Sequence, residues 1–159
     1  MAAKQITVSR IFDAPAEAVW QLWTDPENIK QWWGPDKFTC PLVELDFREG
    51  GTSLVAMKAR PEMGGQTHYN IWTYTSISPH KRIEFIMNLS DAKGAKQKPT
   101  AVGMPADFPE DVRTVVTFES LGPNQTKMTV TESADFGTIA HFAQLGLEQC
   151  FQKMVLPRR

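Results

Sequence analysis

Only two cysteines occur in the 159 residues, Cys40 and Cys150, far apart in the chain. That is too few for a disulfide scaffold and too scattered for a zinc knuckle, so both are read as reduced, buried thiols. An excess of charge is also missing. Seventeen Lys and Arg against eighteen Asp and Glu leave a formal net charge of −1, which gives no field to gather nucleic acid or an anionic membrane. No run of eighteen apolar residues is present, and Met1-Ala2-Ala3-Lys4-Gln5 leads into alternating residues without the apolar stretch of a signal peptide. The expectation is a cytoplasmic chain with no nucleic-acid and no membrane partner. The patterns G-x-x-x-x-G-K, G-x-G-x-x-G, G-x-S-x-G and H-E-x-x-H are absent. Their absence removes the usual phosphate, dinucleotide, esterase and zinc-protease readings and leaves no cofactor to assign. His68, His80 and His141 are isolated along the sequence, so no metal site is expected.

What the chain has in abundance is rings: five Trp, nine Phe and two Tyr, which must either fill a core or line something hollow. Length and a 42% hydrophobic content fit one domain over residues 1–159. Ile6, Val8 and Phe12 alternate with Thr7 and Ser9, the period of a half-buried strand. Asp13-Ala14-Pro15 then supplies a capping acid and a proline for the start of a short helix carrying Val19, Leu22 and Trp23, and Thr24-Asp25-Pro26 repeats the punctuation for a second that ends at Gly34-Pro35. Four strands are expected from Phe38 to Leu89, and a hairpin over Val112–Leu121 and Thr126–Ser133. Ile139, Phe142, Ala143, Gly146, Leu147, Cys150 and Met154 recur at helical steps, giving a long C-terminal amphipathic helix. Helices that do not alternate with strands exclude a doubly wound fold. The expected architecture is therefore α+β: a curved antiparallel sheet of about seven strands wrapped around the last helix, with a cavity between them.

The Asp13-Ala14-Pro15 junction with Val19-Trp20, the Trp32-Trp33-Gly34-Pro35 run, the Asp46-Phe47-Arg48-Glu49-Gly50-Gly51 turn, and Tyr74 with Ile77 and Pro79 occur in order over nearly the whole chain. Together they resemble the activator-of-heat-shock-ATPase homologue family, of the START-like, birch-pollen-allergen-like (SRPBCC) superfamily. The resemblance implies a helix-grip fold with a ligand cavity. Two positions depart from it: similar proteins have Gly near Trp72, and Trp where this chain has Leu147. A large ring at Trp72 would shrink or reshape the cavity.

His68, Asn70, Trp72 and Tyr74 share one parity of a strand, an aromatic face with polar tips that suits a ligand cavity; a solvated face or a contact with a second copy of the chain are the other readings. Phe85 and Met87 on the next strand, and Val116 and Phe118 on a later one, point toward the C-terminal helix, as ordinary core or as cavity wall. Phe142, Gly146 and Cys150 are the matching helix positions, Gly146 marking either tight packing or space for a guest. Of the acid-base candidates His68, Glu84, Glu132, Asp135 and His141, Glu132 shares its face with Met128 and Val130. It would reach the concave side, where burial would raise its pKa, unless it is an exposed strand-end carboxylate. Arg48 and Asp46 read as an ion pair across a turn. Trp32 and Trp33 read as a structural plug. Residues 90–111, rich in Pro, Gly and Lys without periodicity, read as a flap near one end of the cavity, a passive insertion or a dimer arm.

These readings favour a binding protein for a small apolar molecule, with Trp72 as its reporter. The alternatives are a cyclase- or hydrolase-like enzyme using a cavity acid-base group, and a co-chaperone that stimulates a heat-shock ATPase through surface contacts.

Overall fold

Alternating burial builds the first strand. In the computed structural model, which describes residues 4–136 and 140–156, β1 (Lys4–Phe12) buries Ile6 and Phe12 and turns Thr7, Ser9 and Ile11 to water. Helix α1 (Ala16–Thr24) follows and buries Val19, Trp20, Leu22 and Trp23. Asp13 does not cap it. The N-cap position falls on Pro15, whose extended backbone holds it outside the first turn, and no side chain caps the helix. Helix α2 (Pro26–Trp32) does carry the expected cap: the Asp25 carboxylate accepts from the Glu27 backbone N–H at 3.0 Å, with Pro26 at the first helical position.

Six further strands are β2 (Phe38–Glu44), β3 (Thr52–Ala59), β4 (Thr67–Ser78), β5 (Arg82–Ser90), β6 (Val112–Gly122) and β7 (Gln125–Ala134). All pairings are antiparallel, in the order β1-β7-β6-β5-β4-β3-β2. β1 and β2 are thus the two edges, and α1 and α2 carry the chain from one to the other. Register shifts between Thr39 and Leu42, Tyr74 and Ser76, and Ser120 and Gly122 bend the strands, and the sheet curls into a half-barrel. Helix α3 (Ala140–Gln152) lies against it, the α+β helix-grip arrangement expected from the element order. Ile139 lies outside the described residues.

The β2–β3 connection shows why two glycines stand together. Gly50 has φ +82°, and a Cβ on Gly51 would sit 2.3 Å from the Asp46 carbonyl oxygen. Across this turn Arg48 Nε donates to Asp46 Oδ1 at 2.9 Å, the exposed ion pair read from the sequence. Below it the Asp46 N–H donates to Ser53 Oγ at 3.0 Å, and Ser53 Oγ shares a 2.8 Å hydrogen bond with the Tyr74 hydroxyl.

Rings under α1 and α2 fill one end of the concave face. Trp72 stacks on Phe85 with centroids 4.8 Å apart, Trp20 meets Phe118 edge-on at 5.3 Å, and Phe47 meets Tyr74 at 5.0 Å. Trp23 Nε1 donates to Met128 Sδ at 3.2 Å and Trp32 Nε1 to the Leu22 carbonyl at 2.7 Å. Among the described residues no helix is long and apolar enough to cross a membrane.

Candidate functional site

At the opposite end of the sheet, where β4 and β6 begin and β5 and β7 finish, the rings of Trp33, Phe38, Phe108, Phe136 and Phe142 line the concavity without filling it, and a cavity of about 410 Å³ remains. Its floor is Met57, His68, Asn70, Met87, Leu89, Val112 and Glu132. Phe142, Ala143, Gly146, Leu147 and Cys150 of α3 cover it, and Trp33, Pro35 and Phe38 close one side. Met104, Pro105, Phe108 and Pro109, from the connection between β5 and β6, close another.

Of the twelve cavity residues expected from the sequence, seven face this space: His68, Asn70, Met87, Glu132, Phe142, Gly146 and Cys150. Five do not. Trp72, Tyr74, Phe85, Val116 and Phe118 have the inward parity, but they lie farther along their strands, under α1 and α2, and are packed into the aromatic core. Trp72 is only 1% exposed, so the indole that should report on the cavity is Trp33. Trp32 is the plug its sequence suggested; Trp33 is both plug and cavity wall. Gly146 is not demanded by tight packing, since an added Cβ would meet only Pro35 Cβ, at 3.9 Å, and would otherwise project into free space.

Of the wall residues that the sequence did not assign to the cavity, Phe38, Met57, Leu89 and Val112 lie on strands and Leu147 on α3, while Met104, Pro105, Phe108 and Pro109 come from a segment without a period. The connection over residues 91–111 is folded rather than featureless. Asp91 Oδ1 accepts from the N–H groups of Lys93 and Ala95, Ser90 bridges to Lys96, and Pro99–Val102 forms a 3₁₀ turn ending at Gly103, φ +82°. Its far end is fixed by Asp111, which accepts from Asn88 and from Lys96 Nζ.

The electrostatics of the cavity are set by burial. Glu132 is 8% exposed, between Ile6 of β1 and Thr114 of β6, and desolvation pushes its pKa up to about 7. No hydrogen bond or ion pair to its carboxyl is found among the described residues. Burial lowers the pKa of His68, favouring the neutral ring. It pushes the Cys150 thiol up to about 12, against weaker opposing contributions from its hydrogen bond with Gly34 and from Lys153. The Cys40 thiol is raised by the same cause. Both thiols are free and buried. Trp33 Nε1 and Trp72 Nε1 are buried without a hydrogen-bond partner among the described residues. The remaining acid-base candidates lie elsewhere. Asp135 and His141 are exposed, and Glu84 faces the convex side, where Arg113 and Arg82 at 2.9 and 2.8 Å hold its carboxyl below the usual range. No cluster of three or more His, Cys, Asp or Glu suited to a metal occurs among the described residues.

Helix α3 is fastened to the sheet at its C-terminal end. Lys153 Nζ donates to the carbonyls of Gly34, Pro35 and Phe38 at 2.7, 3.0 and 3.0 Å, and the Asp36 N–H donates to Gln149 Oε1 at 3.1 Å. Arg10 on β1 donates to the Phe151 carbonyl.

The same architecture recurs in solved structures. A crystal structure of a protein from Chromobacterium violaceum superposes with a TM-score of 0.75 at 24% identity, covering 94% of this chain and 93% of the other. An AHSA1 protein from Silicibacter pomeroyi matches at 0.72 and 18%, with 94% of each chain covered. An AHSA1-like protein from Aeromonas hydrophila, solved by NMR, matches at 0.68 and 20%, covering 95% and 89%. These likenesses show the fold. No curated protein matches the chain. The sequence model described as "Activator of Hsp90 ATPase homolog 1-like protein" matches residues 13–155, from the end of β1 past α3, and the chain belongs to that family.

Proposed function

We propose that the protein binds a small, largely apolar molecule in the cavity between its sheet and α3. The observation that carries this reading is the cavity itself. Its volume of about 410 Å³ falls within the roughly 300–1,000 Å³ of small-molecule sites, and its wall is apolar except at a few placed groups. His68, Asn70 and Glu132 are those groups. The family's fold is a generic ligand-binding scaffold, which supports the reading without naming a ligand. Affinity comes mainly from apolar area removed from water, about 25 cal/mol per Å² before the costs of association. The 91–111 segment serves as a flap over one side, and the protein works in the cytoplasm. The test is native mass spectrometry of freshly purified protein, followed by thermal denaturation with whatever molecule is released. A retained apolar compound that raises the melting temperature supports the proposal. Overturning it takes protein without a guest that no apolar compound stabilises.

One observation favours a second reading. Glu132 and His68 share the cavity, and burial pushes both toward their neutral forms. An acid near neutrality in a dry site is suited to proton transfer, the requirement of a cyclase- or hydrolase-like enzyme. Turnover of a bound compound that disappears in Glu132→Gln while binding persists would establish that reading over the first.

A further inference from the structure

The sign of charge is the cavity's most selective feature. Among the described residues its wall holds no Lys and no Arg, and burial shifts its one nitrogen base, His68, toward the neutral form. A carboxylate or phosphate head group would find no cation there. Lys153, just past the end of α3, has its ammonium committed to three backbone carbonyls. The cavity does hold one acid, Glu132, nine-tenths buried and without a partner among the described residues.

Among the described side chains packed around Glu132, none supplies a counter-charge. β1 places Ile6 beside it, with Lys4 two residues along the strand, opposite Ala134; Arg10, farther along the other way, is turned to the Phe151 carbonyl and the Phe12 ring. β6 contributes Thr114, while Arg113 points to Glu84 on the convex face. α3 brings the neutral Cys150 thiol. In the connection before β6, Asp111 is paired with Lys96, and Glu110 is exposed. A buried carboxylate without a partner is costly, and a cation brought by the guest removes that cost.

Resting on the binding reading above, we infer that the cavity selects lipophilic amines, with the Glu132 carboxylate as counter-ion to the guest's ammonium group. The apolar tail lies against Met57, Met87 and the α3 wall. Methionine thioethers adapt to tails of different shape, so the head group carries the selectivity. Protons balance in a pH-dependent way. Below the pH at which Glu132 ionises, each ammonium bound expels the carboxyl proton to solvent; above it, none is released. Amine affinity therefore falls as the solution is acidified, and the affinity of an uncharged guest does not.

Three guests with one tail test this: decylamine, decanol and decanoate, titrated into the wild-type protein and Glu132→Gln by calorimetry and tryptophan fluorescence. The expected result is decylamine at least about tenfold tighter than decanol at slightly alkaline pH, with decanoate weakest. The amine advantage should vanish in Glu132→Gln while decanol binding persists. In the wild-type protein, which needs no substitution to fold, acidification should weaken decylamine alone and reveal proton release in buffers of different ionisation enthalpy. Binding of decanol or decanoate as tight as decylamine, or an amine preference that survives Glu132→Gln, overturns the inference and leaves the apolar-ligand reading standing. Failure of all three to bind overturns both.

Discussion

Replacing Glu132 with Gln should stabilise the ligand-free protein, and only above mildly acidic pH. The carboxyl ionises at about 7 in the fold against an ordinary 4.5, because burial disfavours its charged form. Below 4.5 the group is protonated in both the folded and unfolded chain, and burial carries no ionisation cost. As pH rises from there, the unfolded chain gives up its proton while the fold retains it, so stability falls; above about 7 the loss is complete. At about 1.36 kcal/mol for each pH step, the interval amounts to about 3 kcal/mol, a large part of the stability of an ordinary domain. Glutamine keeps the shape and does not titrate. The difference between wild-type and variant unfolding free energies, measured by urea denaturation from about pH 4.5 to about pH 8.5, isolates this group from all others. The variant should gain about 3 kcal/mol relative to wild type across that range. A difference that stays flat with pH, or one that moves against the variant as pH rises, would show that the carboxyl is solvated or paired in the fold and refute the reasoning.

Three further outcomes are expected. Trp33→Phe should abolish the ligand-induced change in tryptophan fluorescence, and Trp72→Phe should leave it, because only Trp33 lines the cavity; the reverse result would put the ligand among the aromatic core. Lys153→Met should cost about 1–3 kcal/mol in urea denaturation, since three carbonyls lose a charged donor, and should speed ligand release in stopped-flow measurements; an unchanged denaturation midpoint would mean water replaces the ammonium without loss. Cys40 and Cys150 should react with a thiol reagent only on the timescale of unfolding, as both are buried and their thiolates disfavoured; rapid native labelling would contradict that packing.

The strands were legible because period two survives in them. The alternation from Val112 to Phe118 set both the β6–β7 hairpin and the direction of its side chains, and Met128, Val130 and Glu132 followed the same rule. Parity decides which face a residue takes; it does not decide what lies above that face. His68 and Tyr74 share a parity on β4, yet one faces the cavity and the other an aromatic block, a difference made by where α1 and α2 cross the sheet. Met104, Pro105, Phe108 and Pro109 lay in a segment with no period at all, so their place on the cavity wall depends on the hydrogen bonds of Asp91 and Asp111, which composition does not disclose. Asp13 misled for a local reason: it has the chemistry of a cap, but Pro15 takes that position.

The uneven fastening of α3 has a mechanical consequence. Its last turn is held by Arg10, Gln149 and Lys153 and buries Cys150 and Phe151, whereas Phe142 and Leu145 near its start are 70% and 43% exposed. A rod clamped at one end and lightly supported at the other deflects as a cantilever, with displacement growing linearly from the clamp. At about 1.5 Å of rise per residue, Phe142 lies about 12 Å from Cys150, so a tilt of about 10° carries it about 2 Å while Cys150 stays in place and Gly146 moves half as far. Compliance in this wall is therefore graded along the helix, greatest over the Phe142 rim and least beside the Cys150 thiol.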